Sequence, residues 1–201
     1  MNKTTTMKHK WLAFALFALS FQPLTHAANL VKNGDFSVAA NGVPADWKLM
    51  KNVQTVAIDT TEITGDSKQS LRVDIGKQGE GLGQIVQQIS ATPYKKYLLK
   101  FDMKSSAAGT GLGSVKLQVG KSELSRLATR KSTTGWQSYS VEMDSGEANV
   151  ILVLLRYEQK PASVGQKVWF ANVSLEQTGD GAAPATTAAP AAPAPATPAA
   201  P

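Results

Sequence analysis

The sequence predicts an all-β domain, an antiparallel β-sandwich, preceded by an export signal and followed by a disordered C-terminal tail. Between Asn29 and Gln177, short apolar runs recur with turn residues between them, and no segment sustains a 3.6-residue stripe. Within several runs every second residue is apolar, as a strand with one face in a core requires. Both ends of the chain depart sharply from this pattern.

At the N-terminus, Lys3, Lys8 and Lys10 form a positive region before the apolar run Trp11 to Phe21. Thr25-His26-Ala27 then offers a small-x-small cleavage site, so residues 1–27 read as a signal peptide. The apolar run is about half of the roughly 20 residues that a spanning helix needs, so no membrane insertion is expected. The chain contains no cysteine, which removes both a lipidated N-terminus and disulfides. A secreted or periplasmic location follows. Residues 28–178 form the expected domain.

Cleavage removes three lysines and no acid from the 21 basic and 15 acidic residues, which leaves a net charge of +3. That is too small an excess to argue for nucleic acid. Both histidines, His9 and His26, leave with the signal. Nucleophile–histidine pairs and the usual zinc and copper ligand sets are therefore not available to the mature chain. Gly79-Glu-Gly-Leu-Gly83 and Gly109-Thr-Gly-Leu-Gly113 lack the Gly-Lys-Ser/Thr ending of a phosphate loop and the helix-opening spacing of a dinucleotide loop, so they read as hairpin or strand-edge glycines. A carboxylate pair, as in glycosidases, is the remaining catalytic option and has no spacing signature. The expectation is a protein that is not an enzyme.

Strands are expected at 29–36, 53–59, 69–76, 83–90, 96–104, 114–120, 136–143, 148–157 and 167–176. Asn41-Gly42, Thr64 to Ser67, Thr92-Pro93, Ser145-Gly146 and Lys160-Pro161 supply turns between them. Ser122 to Arg130 is a short helical candidate. Alternation places Leu71, Val73 and Ile75 on one core face, Tyr97, Leu99, Phe101 and Met103 on another, and Tyr139, Val141 and Met143 on a third. The run Val150 to Leu155 is apolar on both faces, so it should be central and partly covered on its outer side. Lys121, Arg126, Arg130 and Lys131 form a basic cluster that suits a solvated loop or an acidic polymer. From Gly179 to Pro201 the chain is mainly Ala, Pro and Thr, too poor in apolar mass to fold, and reads as a disordered tail with polyproline character.

Five motifs in order carry a family resemblance. They are Leu30-Val-Lys-Asn-Gly-Asp-Phe-Ser37 with Pro44-Ala-Asp-Trp47, then Ser70-Leu-Arg-Val73, then Gln87 to Ile89 with Pro93 to Phe101, then Thr134-Gly-Trp-Gln-Ser-Tyr139, and last Trp169 to Leu175. Together they resemble the CenC-type group of carbohydrate-binding modules, families 4, 9 and 22. The resemblance implies a galactose-binding-domain-like jelly roll and a polysaccharide ligand. It also implies a structural calcium held between the first and last strands, for which Asp35 and Asn172 are the matching residues here. Ser37 and Ala171 stand where the family usually has acids, so the oxygen set is reduced.

Sugar binding calls for an aromatic platform and hydroxyl-orienting polar groups. Tyr157, at the end of the doubly apolar strand beside Arg156, is the platform candidate. Phe170 has the opposite parity from Trp169, and Trp169 shares parity with Val173 and Leu175, so Trp169 should be core and Phe170 exposed. Gln88, Lys100 and Asp102 lie on solvent faces and would supply polar contacts. The reading is a non-catalytic polysaccharide-binding module. The alternative is a structural protein of the same fold that engages an envelope protein partner.

Overall fold

The computed structural model describes residues 28–50, 53–110, 112–119, 125–127 and 131–183. The signal segment and the tail beyond Ala183 lie outside the described residues, as do Lys121 and Arg130 of the basic cluster. Among the described residues, fourteen strands follow in chain order. They are β1 (Ala39–Ala40), β2 (Val43–Pro44), β3 (Lys48–Leu49), β4 (Thr55–Asp59), β5 (Ser70–Asp74), β6 (Leu82–Ser90) and β7 (Lys95–Ser105), and then β8 (Gly109–Thr110), β9 (Gly113–Val119), β10 (Ser125–Leu127), β11 (Lys131–Ser132), β12 (Gln137–Asp144), β13 (Val150–Glu158) and β14 (Lys167–Asp180).

Two five-stranded antiparallel sheets make the sandwich. The first runs β10-β9-β13-β6-β3 and the second β12-β7-β14-β5-β4. The doubly apolar run is β13, which is central in the first sheet as expected. The inward residues of the first sheet are Ile85, Val115, Leu117, Ile151, Val153, Leu155 and Tyr157. They meet Leu71, Val73, Tyr97, Leu99, Phe101, Met103, Phe170 and Leu175 of the second, all buried in one cluster. With no disulfide, this apolar layer carries the stability of the domain.

Residues 29–36 are not a strand. The segment turns at 31–35 and is pinned beside β14 by the N–H of Leu30 on the Leu175 carbonyl (2.8 Å) and the N–H of Val173 on the Gly34 carbonyl (2.9 Å). Asn33 explains the motif. Its Nδ2 donates to the carbonyls of Val38 and Ala45, its Oδ1 accepts from the Val38 N–H, and its carbonyl accepts from Trp47 Nε1. Asn41-Gly42, with φ of 52° and 77°, closes the two-residue hairpin between β1 and β2.

Two further expectations are corrected. Within the short helical candidate, Ser125–Leu127 is the edge strand β10, paired antiparallel with β9. The folded part also runs past residue 178. Strand β14 continues to Asp180, the Gly181 N–H reaches the Tyr94 carbonyl (2.7 Å), and the Ala182 N–H reaches Asp144 Oδ2 (2.8 Å).

Candidate functional site

Register fixes what each sheet shows to solvent. On the first sheet, the rung Gln84–Arg156–Ser114 is followed by Val86–Leu154–Lys116, with Lys48 opposite Val86, and then by Gln88–Leu152–Gln118. These side chains point away from the core, because their neighbours Ile85, Val153, Leu155 and Leu117 point into it. The result is a four-strand-wide face of carboxamides and cations around an apolar strip of Leu152 and Leu154. Leu154 is almost fully covered by its neighbours. The face brings together two expected site residues, Gln88 and Arg156, on adjacent strands. Beside it, around the N-terminal segment, Lys32, Asp46, Gln88 and Ser90 line a recess of about 390 Å³. Gln87 holds that segment in place by accepting from the Lys32 N–H and donating to the Lys32 carbonyl, both at 2.8 Å.

On the opposite side of the molecule, the outer face of β7, β12 and β14 carries a larger hollow of about 480 Å³. Lys100 and Asp102, also expected at the site, line it together with Asn172. Asp102 is nearly buried. Its Oδ1 accepts from Ser138 Oγ (2.6 Å) and its Oδ2 from Asn172 Nδ2 (2.7 Å). Lys100 Nζ lies 3.6 Å from Glu176 Oε2.

The two aromatic candidates are corrected. Tyr157 is fully buried on the core face of β13, so it offers no ring to a sugar. It pairs with Gly83 on β6 and Gly113 on β9; a Cβ at Gly83 would run into its ring, and a Cβ at Gly113 would run into Met103 and Val168. Its hydroxyl accepts from the Gln54 N–H at 2.6 Å. Burial pushes the phenol up, despite the Gln54 N–H and the Gln159 side chain acting against the shift. The glycine-rich segments thus end at two positions opposite Tyr157, of which Gly83 makes room for its ring and Gly113 for Met103 and Val168, which pairwise register could have revealed and local spacing could not.

Phe170 is likewise fully buried, beside Met103 in the core, whereas Trp169 faces outward next to Lys104. The parity argument failed at a β-bulge. Pairing shifts between Ala171 and Ser174, with Asn172 at φ 50°, so the inward residues are even-numbered before it and odd-numbered after it. Trp169 is nonetheless covered, since its Nε1 donates to Asp59 Oδ2 (3.0 Å) and Lys104 Nζ lies 4.9 Å from its ring centroid. Burial of Asp59 opposes its ionisation. Hydrogen bonds from Trp169, Thr61 and Glu62 outweigh that and hold its carboxyl well below the usual carboxylate range.

Asp35 and Asn172 have separate partners. Asp35 Oδ1 closes a turn on the N–H and Oγ of Ser37, and Asn172 is committed to Asp102. Among the described residues there is no group of three or more His, Cys, Asp or Glu that could hold a metal ion. A hard cation takes six to eight oxygens. One exposed carboxylate turned onto its own loop does not fit that demand.

A family model described as "Protein of unknown function (DUF642)" matches residues 26–164. The chain belongs to that family. The jelly-roll sandwich fold of this chain is shared with carbohydrate-binding modules of more than one family. The module TmCBM61, solved in complex with β-1,4-galactotriose, superposes with a TM-score of 0.57 at 14% identity over 76% of this chain and 100% of that one. The CBM22-1 xylan-binding domain of Paenibacillus barcinonensis Xyn10C gives 0.53 at 12% identity, over 79% and 98%. An arabinose-bound GH51 α-L-arabinofuranosidase gives 0.58 at 18% identity over 76% of this chain. This chain spans 27% of that enzyme's length. No curated protein matches the DUF642 chain in sequence.

Proposed function

We propose that the protein is an exported, non-catalytic polysaccharide-binding module whose ligand lies across the outer face of the first sheet. One observation carries the reading. Gln84, Gln88, Gln118, Arg156, Lys48 and Lys116 project from four adjacent strands onto one face, around the half-buried Leu152, which can take the apolar face of a sugar ring. Carboxamides both donate to and accept from hydroxyls, the guanidinium and ammonium groups donate to them, and rigid strands hold all of these groups at fixed spacing. Successive outward residues on one strand are about 7 Å apart, so an extended chain would meet polar groups on several rungs. The likeness to modules solved with β-1,4-galactotriose or described as xylan-binding supports a glycan as ligand.

The absence of catalysis rests on the donor set. The mature chain has no histidine or cysteine. Among the described outward residues of these strands the acid is Glu158, which is ion-paired with Lys160 at 3.1 Å. A glycosidase needs a second carboxyl about 5–10 Å away.

Affinity electrophoresis of the mature chain through gels holding xylan, galactan, β-glucan or pectin tests the reading. Retardation by at least one polymer is expected, lost in the Gln84→Ala/Arg156→Ala double variant and unchanged by added calcium. Free migration through all four, by protein with a cooperative melting transition, would transfer the function to an envelope protein partner.

A further inference from the structure

The hollow on the second sheet is not part of that face. It lies on the other side of the sandwich, behind a core of two inward side-chain layers, and its chemistry differs. We infer that it is a second carbohydrate site, one that takes a single neutral pyranose unit, so that each molecule presents two glycan-binding faces back to back.

The polar groups in the hollow are already oriented. Asp102 is nine-tenths buried, and each of its oxygens accepts one hydrogen bond, from Ser138 and from Asn172. A carboxylate oxygen has two lone-pair positions, so each keeps acceptor capacity for a hydroxyl. Asn172 stands on the β-bulge at φ 50°, exposed, with its amide turned to Asp102. Lys100 brings an ammonium about half exposed, and Ser140 and Ser174 bring hydroxyls. A carboxylate acceptor flanked by amide and ammonium donors matches two vicinal hydroxyls, each of which donates one hydrogen bond and accepts another. Because the fork is fixed before a ligand arrives, less ordering cost is incurred on binding.

The apolar side of the hollow suits a ring rather than an ion. Leu98 is half-buried in its wall, while Tyr139 stacks on Phe101 at 5.3 Å and 22° on the core side of the sheet, which stiffens the strands beneath the hollow. Charge excludes the other ligand classes. Lys100 lies beside Glu176, and Asp102 is one carboxylate away, so there is no surplus of positive charge for phosphate, sulfate or a uronate. The ammonium and the two donors already on Asp102 likewise disfavour a cation. A volume of about 480 Å³ is at the small end for ligand pockets, room for a sugar unit and not for a long chain.

This second site stands whether or not the first face binds, because none of its residues is shared. The test is a titration of the 15N-labelled mature chain with galactose, glucose, xylose and mannose, each to tens of millimolar, the range that resolves millimolar affinity. Saturable shifts are expected at the amide signals of residues 98–102, 138–140 and 172–174 with at least one sugar. Ser140→Trp fills the hollow from an exposed position and should weaken those shifts at least tenfold. Asn172→Ala should do the same by removing the fork, and it keeps the test decisive if the tryptophan disturbs folding. Signals of 84–88 and 152–156 report the first face separately and should not respond to either variant. If none of the four sugars moves the hollow's signals, or if the shifts persist in both variants, the second site is overturned. Shifts confined to the hollow would leave the second site standing, and the first face, which takes an extended chain, is decided separately by the polymer gels.

Discussion

Tyr157 shows how one buried hydroxyl can imitate a binding residue. By position it ends an apolar strand next to an arginine, as a stacking platform would. In the structure its ring fills the space left by Gly83, and its oxygen satisfies the backbone of Gln54. Tyr157→Phe should therefore leave glycan binding unchanged and lower stability by about 1 kcal/mol, the cost of leaving a partly buried N–H without its acceptor. Chemical denaturation measures the second effect and affinity electrophoresis the first. A loss of binding at unchanged stability would return Tyr157 to the site. Asn33 is the opposite case, a polar residue whose importance the sequence motif announces and whose reason is structural. It satisfies three backbone groups and receives the Trp47 indole through its carbonyl, while Gly34 leaves no room for a Cβ against the Val173 carbonyl.

Among the elements, β14 decides most. It lies between β7 and β5, carries the bulge that inverts parity, and is braced at its start by Trp169 on Asp59 and at its end by bonds beyond Gln177. Those end bonds include the pairs Gly179–Lys96 and Asp180–Lys95, the Lys95–Asp180 ion pair, and the N–H groups of Gly181 and Ala182. A chain cut after Gln177 should remain folded but melt roughly 2–8 °C below one ending at Ala183, from about 1–2 kcal/mol of lost hydrogen bonding. Equal melting temperatures in a thermal scan would show that the last residues of β14 contribute nothing. Composition set the end of the domain too early, because Gly, Asp and Ala carry no apolar signal even when their backbone is paired.

The acid response belongs to the whole molecule, since several carboxylates are held low at once. Asp59 is lowered by hydrogen bonds that outweigh burial, Asp144 by the backbone N–H groups of Gly146 and Ala182, and Asp180 by Lys95. A carboxylate whose folded pKa lies below its unfolded value stabilises the fold above the unfolded value, near pH 4, and that stability is lost as pH falls. The melting temperature should thus be flat from neutral to about pH 5 and decline towards pH 2. Asp59→Asn should start lower and decline less steeply. An equally steep decline in the variant would remove Asp59 from the account. At this scale the sequence by itself determined the sandwich, the expected positions of eight strands, the family resemblance and the pairing of Lys100 with Asp102 on one outward face. The sandwich, the strands and the shared face of Lys100 and Asp102 follow from period-two patterning, which is local, and the resemblance from five motifs in order. Only the tertiary structure decided which aromatics are buried, where Asn172 directs its amide, and that the outward residues form two separate faces. Those depend on register between strands distant in sequence and on one bulge, and a single extra residue there reverses every side chain that follows it.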